Sequence, residues 1–451
     1  MVEKVEYKGK WKLPETDKWI DGEVKFSPEE GLVLQLYGTF RKNILDRSSR
    51  KIILGKTTVG DITLVDSWNK STHDKYDQIT ISVYLPRIMF VGKHFNTFED
   101  ITFHEVSFRL FNLFQWFGVW GLELRLEDIP KEYSIVYKKP NDIEFPYHTD
   151  CECGLTFFSP LKRTIFQNHG LELTEESEVS LKYKEKVHFE EILNDMTVFQ
   201  GFITLSTFEQ TYPLHISFRD NDYFKEHIDS NEIINIQCIY QNTFYNREYK
   251  VRWEQESLLP FQNIQNDFPK LIWNWYEKSQ EIEPSIISLL DYFIDKYHFK
   301  TETFMVIVRG LETFHRRIFR KQRLPKHEFD EKIKSIINTI ELSKPDRDWL
   351  KEELLYSNEL KLKERLVDLI NTYSNRYIQN QIKDINKFCR DVVNTRNYNT
   401  HFTPHLKKKS LSGMDLFYVT QTLTGLLISC ILSYIEVDIK VIEERLDSLL
   451  T

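Results

Sequence analysis

The chain is short of most features that mark a specialised class. With 15 glycines and 14 prolines in 451 residues, it cannot be a collagen-like repeat or a low-complexity linker protein. Five cysteines, an odd number, give no disulfide framework. Cys238, Cys389 and Cys430 lie among apolar neighbours, as core thiols do. No glycine-rich phosphate loop, zinc-ligand array or internal repeat can be found. Positive charge is also in deficit: 60 Lys and Arg face 68 Asp and Glu, a net −8. Nonspecific nucleic-acid binding is driven by phosphate neutralisation, so an RNA or DNA site here must be local rather than a global field. The opening MVEKVEYKGKWKLPE alternates charged and apolar residues without a hydrophobic run. It therefore reads as neither signal nor transit peptide, and the expected compartment is the cytoplasm.

What remains is a globular composition, 41% hydrophobic and 14% aromatic, in a chain long enough for two or three domains. Up to about residue 185 the dominant period is two. Runs such as GEVKF, GLVLQLYG, DITLV and ITFHEVSFRLF are β-branched or aromatic and are separated by turn residues. A sandwich or a bent antiparallel sheet is expected. At HFEEILNDMTVFQGFITLST, Phe189, Ile192, Leu193, Met196 and Phe199 recur at three and four residues. A helix is thus inserted among the strands. The pattern changes for good around residues 258–270. This divides the chain into a strand-rich 1–262 and an all-α bundle at 263–451, an α+β protein overall.

In the second part helices are expected at 269–280, 284–298, 375–400 and 412–435, among others. Pro284 and Pro345 stand at first-turn positions, and Ser343 is a cap. The apolar stretch 416–435 is long enough to span a membrane. It carries Thr420, Gln421, Thr422, Thr424, Ser429 and Ser433, so a buried bundle or dimer-interface helix is the better reading. No stable membrane association is expected.

The most suggestive short pattern is Arg396-Asn397-Tyr398-Asn399-Thr400-His401. Arginine stays charged and forks onto phosphate, while imidazole passes protons near neutrality, which together suffice for metal-free RNA cleavage. In a helix from 375, Ile378, Ile382, Ile385, Cys389 and Val392 form a packing face, and Arg390, Asn394, Asn397 and His401 share a polar one. Arg396 and His401 themselves are roughly 140° apart on an ideal helix. Asn397, Asn399 and Pro404 predict a loosened or ended helix between them, which would let His401 swing back. The competing reading makes both residues simple C-terminal helix cations. A second pattern, LETFHRR, puts Glu312, His315 and Arg316 on one helical face, either to orient the motif or as an exposed ion-pairing surface. Lys407, Lys408 and Lys409 read as a solvated loop or as phosphate contacts, with Arg390 better placed for RNA. His148, Asp150, Cys151 and Cys153 lack a second ligand pair at a familiar zinc spacing, so no metal and no cofactor are expected.

With helices before and after it, TRNYNTHF resembles the R-x4-6-H motif of HEPN domains. GLETFHRRIF and VVNTRNYNTHF are similar to the HEPN helices of the ApeA family of bacterial anti-phage proteins. GLVLQLYGTF, IILGKTTVGDITLVDSW and FVGKHFNTFEDITFHEVSFRLFNLFQWF resemble that family's N-terminal domain in order and spacing. The resemblance implies a metal-independent ribonuclease that homodimerises so that two motifs face one cleft. Arg396 would hold the scissile phosphate and His401 would act as general acid or base. It further implies that Asn397 orients the pair, that Glu312 buttresses it, and that the activity serves abortive infection, with the first domain sensing a phage-derived trigger or restraining the nuclease. The acidic balance favours a presented RNA loop such as that of a tRNA. The alternative is a non-catalytic HEPN module that dimerises and docks RNA or protein.

Overall fold

The computed structural model describes residues 4–41, 48–75, 79–128, 132–159, 161–162, 172–226, 231–295 and 301–450. It divides into two compact units, residues 1–255 with 260–273, and residues 256–259 with 274–451.

The first unit is built on one 13-stranded sheet in which every pairing is antiparallel. In chain order its elements are β1 Val5–Lys12, β2 Ile20–Ser27, β3 Gly31–Leu36, β4 Arg50–Thr57, β5 Gly60–Lys75, β6 Ile79–Leu85, β7 Ile88–Val91 and β8 Thr102–Leu110. The short helix α1 Leu113–Phe117 precedes the separate hairpin β9 Leu122–Asp128 and β10 Glu132–Tyr137. Then come β11 Ile143–His148, β12 Cys151–Phe158, the two-residue strands β13 and β14 at 161–162 and 172–173, β15 Glu176–His188, helix α2 Phe189–Thr207, β16 Pro213–Glu226 and β17 Asn231–Tyr240.

Of the two forms the alternating pattern allowed, the sheet takes the bent one. The strands β5-β4-β1-β2-β3-β6 lie side by side in that order, and β6 pairs back onto β5, closing a six-stranded barrel. Closure removes exposed edges. Trp11 fills the barrel centre with no exposed surface. Its ring needs Gly55, where a Cβ would stand 2.3 Å from Trp11 Cζ3. Beyond the barrel the sheet continues through β7, β17, β16, β8, β15, β12 and β11. The inserted helix α2 is present as the periodicity predicts, and Phe199 packs edge-on against Phe108 of β8. Its buried Asp195 accepts from Tyr183 Oη at 2.9 Å and lies 3.2 Å from His148 Nε2, fastening the helix to β11 and β15.

The second unit is helical: most of α4 Phe268–Asp295, then α5 Thr301–Phe319, α6 Lys326–Thr339, α7 Lys344–Leu354, α8 Leu362–Tyr373, α9 Arg376–Gln381, α10 Ile385–His401, α11 Gly413–Tyr434 and α12 Ile439–Leu450. A short α3, Phe261–Ile264, precedes them in the first unit. Ser343 caps α7 as expected, accepting from Asp346 N at 3.3 Å. The two helices expected at 269–280 and 284–298 are instead one, α4, with Pro284 inside it; residues 296–298 lie outside the described residues. Proline has no N–H for the carbonyl four residues back. Arg317 supplies the missing donor, its Nη1 reaching Gln280 O at 3.3 Å and Glu281 O at 3.0 Å. The helix therefore survives a residue that would ordinarily end it.

The apolar helix α11 is a core helix, and every residue from Thr422 to Leu432 is buried. Its polar side chains are satisfied inside the unit. Thr420, Thr424 and Ser429 bond back to carbonyls one turn earlier, Gln421 accepts from Tyr292, and Ser429 accepts from Asn375. Buried hydroxyls and amides without such partners would be costly.

Candidate active site

The expected helix 375–400 is broken at residues 382–384 into α9 and α10. Asp384 starts α10 by accepting from Lys387 N at 3.0 Å. From there the polypeptide is helical through both Arg396 and His401 and ends at Phe402. The expected loosening between the two does not occur. Asn399 and Thr400, which compete with helical bonding in isolation, here keep their side chains on their own helix, back on the preceding turn: Asn399 Nδ2 donates to Thr395 O at 2.8 Å and Thr400 Oγ1 to Arg396 O at 2.9 Å. Arg396 and His401 thus remain on faces roughly 140° apart, and one chain does not bring them together.

Cys389, Val392 and Thr395 form the buried face of α10. Thr395 also anchors the turn beyond the motif, its hydroxyl donating to Asp391 O at 2.7 Å and accepting from Leu411 N at 2.9 Å. On the polar face Arg390 and His401 are exposed and Asn394 and Asn397 half-buried. Phe402 terminates the helix at φ 50°, its N–H 2.6 Å from Tyr398 O, and its ring is 69% exposed. A bulky side chain in the left-handed region is strained by about 1–2 kcal/mol. Met414 and Tyr418 of α11 are exposed as well. Lys407, Lys408 and Lys409 end the 3₁₀ turn Pro404–Lys409 and are exposed.

Arg396 is held from two sides. Its Nη1 donates to Asn397 Oδ1 at 3.1 Å, and its Nη2 lies 3.7 Å from Glu312 Oε2 on α5. Behind Glu312 the charges alternate inward. Glu312 pairs with Arg316 at 3.3 Å, Arg316 with Glu359 at 2.8 Å, and Glu359 with Arg365 at 3.2 Å. Arg365 Nη1 reaches His315 Nδ1 at 3.2 Å, and His315 Nε2 meets Asp368 at 3.1 Å. His315 has no exposed surface. Burial holds its pKa below the ordinary histidine value against the pull of Asp368, with Arg365 adding to the depression. A neutral ring bearing its proton on Nε2 satisfies both neighbours, donating to Asp368 and accepting from Arg365. The LETFHRR face is therefore divided, Glu312 facing the motif and His315 locked in the core. Glu359 and Arg365 are additions that no local sequence pattern announces, because they come from the α7–α8 connection and from α8.

The other candidate cluster lies in the first unit. Cys151 and Cys153 are buried on β12, and burial pushes both thiols up. His148 is taken by Asp195. Among the described residues no three His, Cys, Asp or Glu side chains are grouped as a metal site.

Comparison with known proteins adds two matches and two blanks. No curated protein and no solved structure matches the chain. A family model described as Apea-like HEPN matches residues 305–440, which contain Glu312, Arg396 and His401. A second, ApeA N-terminal domain 1, matches residues 6–275, more than half of the chain. The chain belongs to the ApeA family, an ApeA N-terminal domain joined to a HEPN domain.

Proposed function

We propose that this chain is a metal-independent endoribonuclease acting in anti-phage defence by abortive infection. The observation that carries the reading is the intact Arg396–His401 motif at the open end of α10, with Arg396 held by Glu312 and Asn397. A guanidinium fixed in this way can grip a phosphodiester and stabilise the charge that develops on it. His401 takes the proton of the ribose 2′-OH, the 2′-oxygen attacks phosphorus and the bond to the 5′-oxygen breaks. That oxygen leaves with a proton from a second imidazole, and the products are a 2′,3′-cyclic phosphate and a 5′-hydroxyl.

One helix carries one such imidazole and holds it away from its own Arg396. A homodimer with two motifs across one cleft supplies both the base and the acid. The exposed Phe402 at the end of α10 and the exposed Met414 and Tyr418 of α11 suit an interface between copies. The substrate is an RNA whose loop enters a small site, such as a tRNA. The exposed Arg390 and the exposed lysines at 407–409 meet the phosphate backbone, and the trigger acts through the N-terminal domain. The site of action is the cytoplasm.

The test is expression of wild type, Arg396→Ala and His401→Ala, following growth and cellular RNA. Loss of a general acid or base costs ~10²- to 10⁴-fold in rate, so the wild type alone should cut. If all three leave RNA intact with and without phage, the HEPN domain is a docking module instead.

A further inference from the structure

The Glu312 carboxylate is divided between two arginines. Its Oε2 faces Arg396 Nη2 at 3.7 Å, and its Oε1 accepts from Arg316 Nη2 at 3.3 Å. Arg316 stands four residues after Glu312 on α5, the order and spacing in which an acid and a base pair best along a helix. Arg316 is divided in turn. Its Nη1 lies 2.8 Å from Glu359 Oε2, which also accepts from Arg365 Nη2 at 3.2 Å.

This row is fixed at one end. Arg365 is only 3% exposed, and it also donates to Leu360 O at 2.9 Å and to His315 Nδ1 at 3.2 Å. Burial and the charge of Arg316 push its pKa down, and Glu359 is the foremost carboxylate opposing them. Glu359 is therefore pinned by a guanidinium in the core. It follows the neck of the α6–α7 hairpin, where Asn358 accepts from Leu324 N and donates to Leu324 O, both at 2.9 Å. The other end of the row is Arg396. Three arginines share two carboxylates, so one positive charge is left over. It falls at Arg396, whose carboxylate contact is the longest in the row and which has no second carboxylate among the described residues.

Two guanidiniums on one carboxylate compete for it. With Glu359 in place, Arg316 is drawn inward and part of Glu312 is left for Arg396. Without the Glu359 charge, Arg316 keeps Glu312 as its acidic partner and draws it off Arg396. Without the Arg316 charge, Glu312 serves Arg396 alone. Pairs this open to solvent are modest in strength, so the division between them is easily shifted.

We infer that Arg316 and Glu359 are positioning residues for Arg396: Glu359 restrains Arg316, and Arg316 sets how much of the Glu312 carboxylate remains for Arg396. The inference rests on the nuclease reading for its effect on RNA cleavage, while the sharing of Glu312 can be measured without RNA.

The probe is phenylglyoxal, which adds to guanidine nitrogens and is slowed where a carboxylate occupies them. Labelling of Arg396 in the full chain is followed by peptide mass spectrometry, with the exposed Arg390 of the same helix as internal reference and thermal unfolding as the check on folding. Glu359→Gln should speed labelling of Arg396 ~2- to 5-fold, and Arg316→Gln should slow it. The double variant should label no faster than wild type, and Glu359→Gln should change nothing in a Glu312→Gln background. A merely structural role predicts the opposite order, with the double variant labelled fastest. Arg316 is exposed, so Arg316→Gln decides the sign even if Glu359→Gln fails to fold. The inference is overturned if folded Glu359→Gln labels at the wild-type rate, if Arg316→Gln does not slow labelling, or if adding it fails to bring Glu359→Gln back. In parallel, kcat for RNA cleavage should fall ~2- to 5-fold in Glu359→Gln and recover in the double variant. A wild type that cuts no RNA but shows the expected labelling order sinks the nuclease reading and leaves the sharing standing; cleavage with unchanged labelling does the reverse.

Discussion

Glu312→Gln tests whether the charge behind Arg396 matters to catalysis. The substitution keeps size and shape while removing the carboxylate charge 3.7 Å from Arg396 Nη2. At that distance an ion pair is worth about 4 kcal/mol at an effective dielectric near 20. Arg396 is 34% exposed and Glu312 22%, and solvent screening brings such a pair down to ~0.5–1 kcal/mol. If that energy aims the guanidinium at the transition state, kcat for RNA cleavage falls ~2- to 5-fold. An un-neutralised Arg396 also attracts phosphate more strongly, so KM should stay level or fall. Stability should change by less than ~1 kcal/mol, since Arg316 keeps Glu359 as its partner. The assay is single- and multiple-turnover cleavage of a defined RNA, with unfolding measured on the same preparation. A kcat within twofold of wild type would refute the reasoning. A loss as deep as that of Arg396→Ala in a folded protein would refute it differently, by giving Glu312 a part in the chemistry itself.

Three further outcomes test the scaffold. Asp220, buried between Lys93 at 2.7 Å and Lys186 at 2.9 Å, ionises at about 2: burial opposes this, and the two lysines outweigh it. Its contribution, about 2 kcal/mol, is full above pH ~4 and lost as pH falls toward 2; Asp220→Asn should destabilise the chain at pH 7 and flatten the acid limb of its urea-unfolding profile. His315, depressed when folded, opposes stability as pH falls below its unfolded value near 6.5, so His315→Gln should reduce the loss of Tm between pH 7 and 5. At Gly310 on α5 a Cβ would stand 2.9 Å from Ser288 Cβ and from Leu427 Cδ2; Gly310→Leu should cost about 2 kcal/mol or more in denaturant unfolding.

Local period revealed the strands, the inserted helix α2 and the helical second half, because each is written within a few residues. Barrel closure was not legible in that way. It depends on β6, the chain neighbour of β5, also pairing with β3 across the intervening β4 and β5, and nothing in the QLYG or SVYL runs specifies that partner. Pro284 misled for a related reason: a proline normally ends a helix, and only the distant Arg317 makes the interior position tolerable. At the candidate site, the residues of the Arg396–His401 motif and their common helix were legible. The helix's persistence through them was not, since asparagine and threonine weaken helices on average and here bond back to their own turn. The alternating charges from Glu312 to His315 were beyond sequence reading because each link joins different elements.

That persistence leads to one further expectation about how the proposed site is assembled. If α10 stays helical through the motif, Arg396 and His401 of one copy face different ways, and a productive pair must combine an arginine from one copy with a histidine from the other. Homodimers of Arg396→Ala lack the arginine altogether, and those of His401→Ala lack the histidine. A mixed dimer holds one of each on separate chains. Co-expressed and purified with two different tags, it should recover measurable RNA cleavage, at a rate below wild type because only one imidazole serves as both base and acid. If instead the pair works within a chain after rearrangement on RNA binding, the mixed dimer contains no intact pair and stays as inactive as either parent. The two outcomes separate sharply, since each parent should be down ~10²-fold or more and any recovery stands well above that floor.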